Sequence, residues 1–276
     1  MTVRSPHERK EPGDGTADVR GGFPAFDVKV ANPARMWDYW LGGKDNFAAD
    51  REAAQKVMEV MPELPAVARR CRGFLASSVR TLAAEYGVRK FLDIGTGLPT
   101  AGNVHEVAQQ AAPSSRIVYV DYDPVVSTHA LALLASHPEG KVDYIQADLR
   151  DTGTILTQAA RTLDFSQPAA VLLTNVLDFI PDADDPYRIV ARLMGAVAPG
   201  SFLVIVHGAS DIRADTVSET SRRYNELSAE PLTLRSREQV TRFFDGLDIL
   251  DTGRGPGQVS DAGSGQPSYY GIGTKP

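Results

Sequence analysis

Three carboxylates close three apolar runs at a spacing that suits one nucleoside. The first lies in "FLDIGTGLPTAGNVHE", residues 91 to 106, where Asp93 is followed by Gly95 and Gly97. The second is Asp121, with Tyr122, at the end of "IVYVDYDP", and the third is Asp148, with Leu149, in "YIQADLRD". Glycines after a strand allow a tight turn and a close backbone approach to a ligand. A carboxylate at the tip of the next strand accepts from both ribose hydroxyls. A third acid accepts from an exocyclic adenine amine, while the Leu149 N–H meets a ring nitrogen. Thr100, Ala101 and Gly102 open a helix whose unpaired N–H groups suit an anion. Each feature alone has a plain structural explanation. Gly-x-Gly occurs in ordinary bends, and an Asp after a strand is often a helix cap, as Asp123 is expected to be before Pro124. The three in order favour an adenosine ligand.

Two adenosine cofactors compete. Asp121 follows the turn by about 20 residues, the interval of a dinucleotide site, so NAD stays open. S-adenosylmethionine is favoured on two counts. No third glycine stands where a helix must press on a pyrophosphate, since Pro99 fills that region. An acid also ends the third strand, in a chain that closes with an antiparallel strand.

Methyl transfer is an in-line displacement at a sulfonium carbon, so positioning matters most, and a base is needed only for an acceptor that must lose its proton early. The fourth apolar run ends in "TNVLDFIPD", which makes Asn175, Asp178 and Phe179 candidates. Asn175 is followed by Val176 and Leu177 rather than two prolines and an aromatic, so amino-directed nucleic-acid methylation is not supported. Asp178 and Asp182 would equally cap turns around Pro181. His207 ends "LVIVHGAS" and is either a base or a locally bonded side chain. His105 opens "HEVAQ", but position 109 is Gln, so no zinc helix forms there, and no metal site is expected. Tyr39, Lys44, Asp45 and Asn46 are candidates to touch cofactor or acceptor from "WDYWLGGKDNF". Trp37 and Trp40 there read equally as core. Arg222, Arg223 and Tyr224 would meet an acidic acceptor or simply line an exposed helix face.

The elements that must hold these residues follow from the pattern. Residues 1–22 are charged, Gly-rich and poor in aliphatics, which predicts a disordered tail. Residues 23–87 carry three helical stretches, a short turn or two through Met36, Trp37, Tyr39, Trp40 and Leu41, a second from Ala48 onward and a third from Pro65 to Tyr86, and form an expected lid. Gly42 and Gly43 end the first, and Asp45 or Asn46 is expected to cap the second. From residue 88 to 276, short β-branched runs alternate with helices near 101–111, 124–136, 151–162, 185–198, 213–228 and 236–245. This is the texture of a Rossmann-like α/β domain with a parallel sheet covered on both faces. "LDILD" and "SYYGIGTKP" form an expected antiparallel pair, joined by a Gly-rich loop over 253–265.

With 276 residues, 42% of them hydrophobic, the chain can bury a core without staples. A net charge of −6 argues against a nucleic-acid face, and one cysteine, Cys71, excludes a disulfide framework. No run is long enough to span a bilayer and no signal peptide is expected, so a cytoplasmic protein with a small-molecule acceptor is the expectation.

"ARMWDYWLGGKDNFAADREAA", "FLDIGTGLPTAGNVHEVAQ", "IVYVDYDPVV", "YIQADLRD" and "RFFDGLDIL" resemble the bacterial S-adenosyl methyltransferase family, long known only as a domain of unknown function. The resemblance runs from about residue 28 to the end. It implies a class I methyltransferase fold, with a mostly parallel seven-stranded sheet carrying one antiparallel strand. It also implies S-adenosylmethionine held by the turn at Asp93, Gly95 and Gly97, by Asp121, and by Asp148 with Leu149, and Tyr122 and Asn175 are further cofactor candidates beside these. Catalysis would fall to Asn175, Asp178, His207 or Tyr39. It supplies no methyl acceptor. The alternatives are an NAD-dependent oxidoreductase and a non-catalytic module that binds the cofactor.

Overall fold

The computed structural model describes residues 27–100, 102–133, 136–250, 259–261 and 266–276. The expected tail, Ala101 and most of the Gly-rich loop lie outside the described residues. Three helices come first: α1 (Pro33–Leu41), α2 (Ala48–Met58) and α3 (Leu64–Ala84). Then β1 (Lys90–Ile94), α4 (Val104–Ala111), β2 (Arg116–Asp121), α5 (Pro124–Leu133) and β3 (Lys141–Gln146) alternate. They are followed by α6 (Thr152–Ala159), β4 (Ala170–Thr174), α7 (Pro186–Gly195), β5 (Phe202–Gly208), α8 (Ala214–Leu227) and α9 (Arg237–Thr241). Three strands close the chain: β6 (Asp248–Ile249), β7 (Ser260–Asp261) and β8 (Ser268–Thr274).

The sheet runs β3-β2-β1-β4-β5-β8-β6. β1 to β5 are parallel, and β8 lies antiparallel between β5 and β6, with the two-residue β7 also pairing to β8. The expected antiparallel closure is therefore present. Strand order reverses between β1 and β4, which places a crevice at their carboxyl ends.

Alternation along the strands explains the layering. Leu92, Val118 and Leu173 face one core with Ile155 of α6 and Leu193 of α7. Phe91, Ile117 and Leu172 face the other with Val79 and Leu82 of α3 and Val107 of α4. Successive side chains of a strand point to opposite faces, so strands buried on both sides must be apolar throughout. A third core unites the first helices with α8: Met36, Trp40, Ala54, Val57, Ala68 and Tyr224 pack together there.

The helix ends follow local chemistry. Asn32 caps α1 by accepting from the Ala34 N–H at 2.9 Å, Pro33 takes the first turn, and Gly42 ends the helix at φ 85°. α2 departs from expectation. Its cap position is Phe47, whose N–H donates to Asp50 Oδ2 at 2.8 Å, while Asn46 Nδ2 donates instead to Asp38 Oδ2 at 2.7 Å. The carboxylate at the third helical position does the work expected of Asp45 or Asn46. Asp123 caps α5 as expected, accepting from the Val125 N–H at 2.8 Å.

Candidate functional site

A cleft of about 230 Å³ opens at the carboxyl ends of β1, β2, β3 and β4, roofed by α1. Seven of the eight expected cofactor residues line it: Gly95, Gly97, Asp121, Tyr122, Asp148, Leu149 and Asn175. Asp93 does not line it and lies buried beneath the turn.

The turn is made by two left-handed glycines, Gly95 at φ 73° and Gly97 at φ 66°. A Cβ on Gly95 would come within 2.4 Å of the Val176 side chain, so close packing of β1 against the β4 loop demands glycine there. The Gly97 N–H donates to Asp121 Oδ2 at 2.8 Å and the Asp123 N–H to Asp121 Oδ1 at 3.0 Å. Each Asp121 oxygen thus keeps acceptor capacity for a ligand. Burial pushes the Asp121 carboxyl up to about 6, although the N–H groups of Asp123 and Gly97 pull it down. Burial likewise lifts Asp93 to about 6 against the opposing pull of Arg72 and the Thr96 hydroxyl, and Asp93 Oδ1 has no hydrogen-bond partner.

The start of α4 differs from expectation. Its N–H groups are not open to an anion. Glu106 accepts from the Gly102 and Asn103 N–H groups at 2.8 and 3.0 Å, and Asn103 Oδ1 accepts from the Thr100 N–H at 3.0 Å. The spacing Asn103-x-x-Glu106 is a capping box legible in the sequence.

At the third strand, Asp148 is shared. Its carboxylate accepts from the Arg150 N–H at 2.8 Å and pairs with the Arg150 guanidinium at 2.9 Å. No described residue accepts from the Leu149 N–H.

Arg72 of α3 is a cleft residue the sequence reading missed. It faces the cleft and donates to Thr100 Oγ1 at 2.6 Å. Its position depends on α3 crossing the β1 turn, which no local pattern reveals. Trp37, expected in the lid or the core, lines this cleft and a second cavity as well.

That second cavity, of about 80 Å³, lies between α1, α2, α3, α8 and the ends of β4 and β5. It shares Trp37, Asn175 and Phe179 with the first cleft. Asn175 sits at the junction with φ 56°, a left-handed conformation held by its N–H donating to Val206 O at 2.8 Å.

Behind the junction runs a buried polar chain. Asn175 Nδ2 donates to Asp178 Oδ2 at 3.1 Å, and Asp178 Oδ1 accepts from the Gly208 N–H at 2.8 Å and lies 2.8 Å from His207 Nδ1. Arg235, fully buried, donates to His207 Nε2 at 2.9 Å and to Asp182 Oδ1 at 2.7 Å. A guanidinium only donates, so His207 Nε2 accepts and the ring proton sits on Nδ1, facing Asp178. Burial works to raise Asp178, but His207, the Gly208 N–H and Asn175 outweigh it and hold the carboxyl below its usual range. Asp178 is therefore no simple turn cap.

The other expected contacts lie elsewhere. His207 faces neither cavity. Tyr39 is turned outward, its hydroxyl accepting from Gln55 Nε2 at 2.9 Å, and Lys44, Asp45 and Asn46 line neither space. Arg222 is half exposed and pairs with Glu219 and Glu226, whereas Tyr224 is buried on the second cavity.

The roof is tied to the carboxyl end of β2. Arg35 of α1 bonds Asp50 of α2 at 3.0 Å and Asp123 at 3.4 Å, all three buried, and Asn32 Nδ2 donates to the Tyr122 hydroxyl at 3.1 Å.

The chain is similar to two solved structures over nearly its whole length. One is a DUF574 family protein from Streptomyces avermitilis MA-4680, at 37% identity and TM-score 0.85, covering 91% of this chain and 99% of that one. The other, from Thermobifida fusca YX, is described as a candidate methyltransferase, at 37% identity and TM-score 0.80, covering 90% and 96%. Human N-acetylserotonin methyltransferase, solved with S-adenosylmethionine, shares the fold at 15% identity and TM-score 0.50, over 89% of this chain and 63% of that one. No functionally curated protein matches the chain. A family model described as S-adenosyl methyltransferase matches residues 22–261. With the strand order and the cleft at its reversal, this match identifies the chain as a member of the S-adenosyl methyltransferase family, an S-adenosylmethionine-dependent methyltransferase of class I fold.

Proposed function

We propose that the protein methylates a small-molecule acceptor admitted beside the cofactor cleft and enclosed by the first helices. The observation that carries this is the second cavity, which meets the cleft only a side chain away, at Trp37, Asn175 and Phe179. A module that merely bound the cofactor would have no need of a space there. When bound, the cofactor supplies an electrophilic methyl group on a sulfonium sulfur. Asp121 accepts from the ribose hydroxyls, and the Leu149 N–H with Asp148 meets the adenine edge. The Arg72 guanidinium lines the cleft and suits the cofactor's carboxylate, while Asp93 lies beneath the turn and acts on the cleft only through its charge. α1 and α2 act as the lid, excluding water from the junction.

The same charges argue against NAD. Glu106 occupies the helix start where a pyrophosphate would dock, and two buried carboxylates favour a cation over an anion nearby. No helix among the described residues is long and apolar enough to cross a membrane.

Calorimetric titration of the full chain with S-adenosylmethionine, S-adenosylhomocysteine and NAD tests the site. Micromolar binding of the first two and none of NAD is expected. Asp121→Ala should weaken cofactor binding by about 1–3 kcal/mol. Unchanged affinity in that variant would remove Asp121 from the site.

A further inference from the structure

We propose that the second cavity is the acceptor site and that it takes a neutral amine nitrogen carried on a small, mostly apolar ring. This rests on methyl transfer from the adjoining cleft and names the substrate class for it.

Size and walls come first. A cavity of about 80 Å³ has room for on the order of six waters, or one ring with a short substituent. Aromatic surfaces bound it on two sides. Trp37 and Trp40 meet edge to face at 5.9 Å, and Phe179 leans on Tyr224 at 6.1 Å. Leu64, Val217 and Leu232 fill in between.

Charge narrows the class. Among the described residues Asp178 is the only charged side chain on this lining, and no described Lys or Arg faces it. A carboxylate or phosphate acceptor would lose its hydration without gaining a counter-charge. Arg222 follows the exposed-face alternative, engaged by Glu219 and Glu226 on α8.

Hydrogen bonding fixes polarity. Because the Asp178 carboxylate can only accept, it dictates which end of the Asn175 amide faces it. The Asn175 Oδ1 therefore points away from Asp178, and no described residue donates to it. An acceptor N–H fits that oxygen. Asp178 acts through Asn175 and is a positioning residue.

Proton chemistry excludes hydroxyl acceptors. A phenol or alcohol needs a base before it attacks well. Asp178 Oδ1 is engaged by the Gly208 N–H and faces His207 Nδ1, Oδ2 receives Asn175 Nδ2, and the carboxyl is held low, so it takes up a proton poorly. The His207 Nε2 lone pair is taken by Arg235. The Tyr224 hydroxyl is pushed up by burial. No described group on the cavity wall is a ready base, but a neutral amine brings its own lone pair. That lone pair forms the N–CH₃ bond while the S–CH₃ bond breaks and its electron pair stays on sulfur. The surplus N–H proton then leaves to water with the product. Positive charge growing on nitrogen is met by the Asp178 carboxylate and by the faces of Trp37 and Phe179.

Both tryptophans of the chain line this cavity, so their fluorescence reads its occupancy directly. The full chain saturated with S-adenosylhomocysteine is titrated at about pH 9.5, where a sizeable share of the benzylamine is unprotonated, with benzylamine, phenol and benzoate, which share one ring and differ in head group. Benzylamine should bind at least about tenfold more tightly than the other two. With S-adenosylmethionine present, mass spectrometry should find N-methylbenzylamine. Asp178→Asn should abolish the preference, and Leu232→Phe should exclude benzylamine, while S-adenosylhomocysteine affinity stays within about twofold in both. Phenol or benzoate binding as tightly as benzylamine overturns the proposal. So does no benzylamine response up to about 10 mM, or unaltered benzylamine binding in Leu232→Phe. Failure of S-adenosylhomocysteine itself to bind would strike the cofactor assignment instead, and the two failures are thus told apart.

Discussion

The cofactor cleft and the second cavity touch, yet they are built by opposite means. The cleft is drawn from loops after four consecutive parallel strands, and its polar groups are carboxylates and backbone N–H groups that also hold one another, as Asp121 holds Gly97. The cavity is drawn from helices before and after the sheet, and its walls are apolar with one buried carboxylate. A site for an invariant ligand can be made of backbone, whose geometry the sheet fixes. A site for a particular acceptor is made of side chains, which can be exchanged without disturbing the sheet.

That contrast can be broken at its joint. Replacing Arg35 by Met leaves Asp50 and Asp123 buried without their cation, which should lower the unfolding free energy by about 3–5 kcal/mol, read by denaturant melts. Because α1 roofs both spaces, cofactor affinity should fall too. Retained affinity would mean that the cleft needs no roof, and the two regions would then be independent.

A smaller effect sharpens the comparison within the cleft. Gly95→Ala places a methyl 2.4 Å from Val176 at φ 73°. It should cost more than the roughly 1–2 kcal/mol that left-handed backbone alone imposes on alanine, and it should erase cofactor binding. Gly97→Ala, with φ 66° but nothing within 4 Å of the new methyl, should cost only that backbone term. Equal losses in the two variants would make the Val176 contact irrelevant.

The smallest effect is a pH dependence of the ligand-free protein. Asp93 and Asp121 are raised to about 6 in the fold, above their unfolded values, so the folded state binds more protons between them. Their contribution is full below about pH 4 and is lost as pH rises through about 6. Asp178 is shifted the other way, and its contribution is lost only as pH falls below its unfolded value. Thermal melts at pH 5 and pH 7 should therefore show a smaller difference for Asp121→Asn than for the unmodified chain.

What could be read from the sequence followed the same division. The strands and the acids at their tips were legible because a β-branched run and its terminal residue are adjacent in the chain. All seven helices expected after residue 60 are present, with ends displaced by a few residues. The cap by Asp50 and the box Asn103–Glu106 were also local signals, but competing cap residues stood beside them. Arg72, the Trp37 junction and the His207–Arg235 contact were not legible. They join positions 28 or more residues apart and exist only once α3, α8 and the loop before α9 have packed against the sheet. His207 illustrates the limit. A histidine at a strand end suggests a base until an arginine from another loop claims its lone pair.

Cys71 gives the cleft a clock. It is the only thiol of the chain, it lies on the cleft wall beneath α1, and burial pushes it up to about 12. Alkylating reagents attack thiolates, so the closed protein offers them nothing. A modification event therefore requires the packing around Cys71 to open, and the rate at which one equivalent of reagent is consumed, with and without cofactor, measures how often it does.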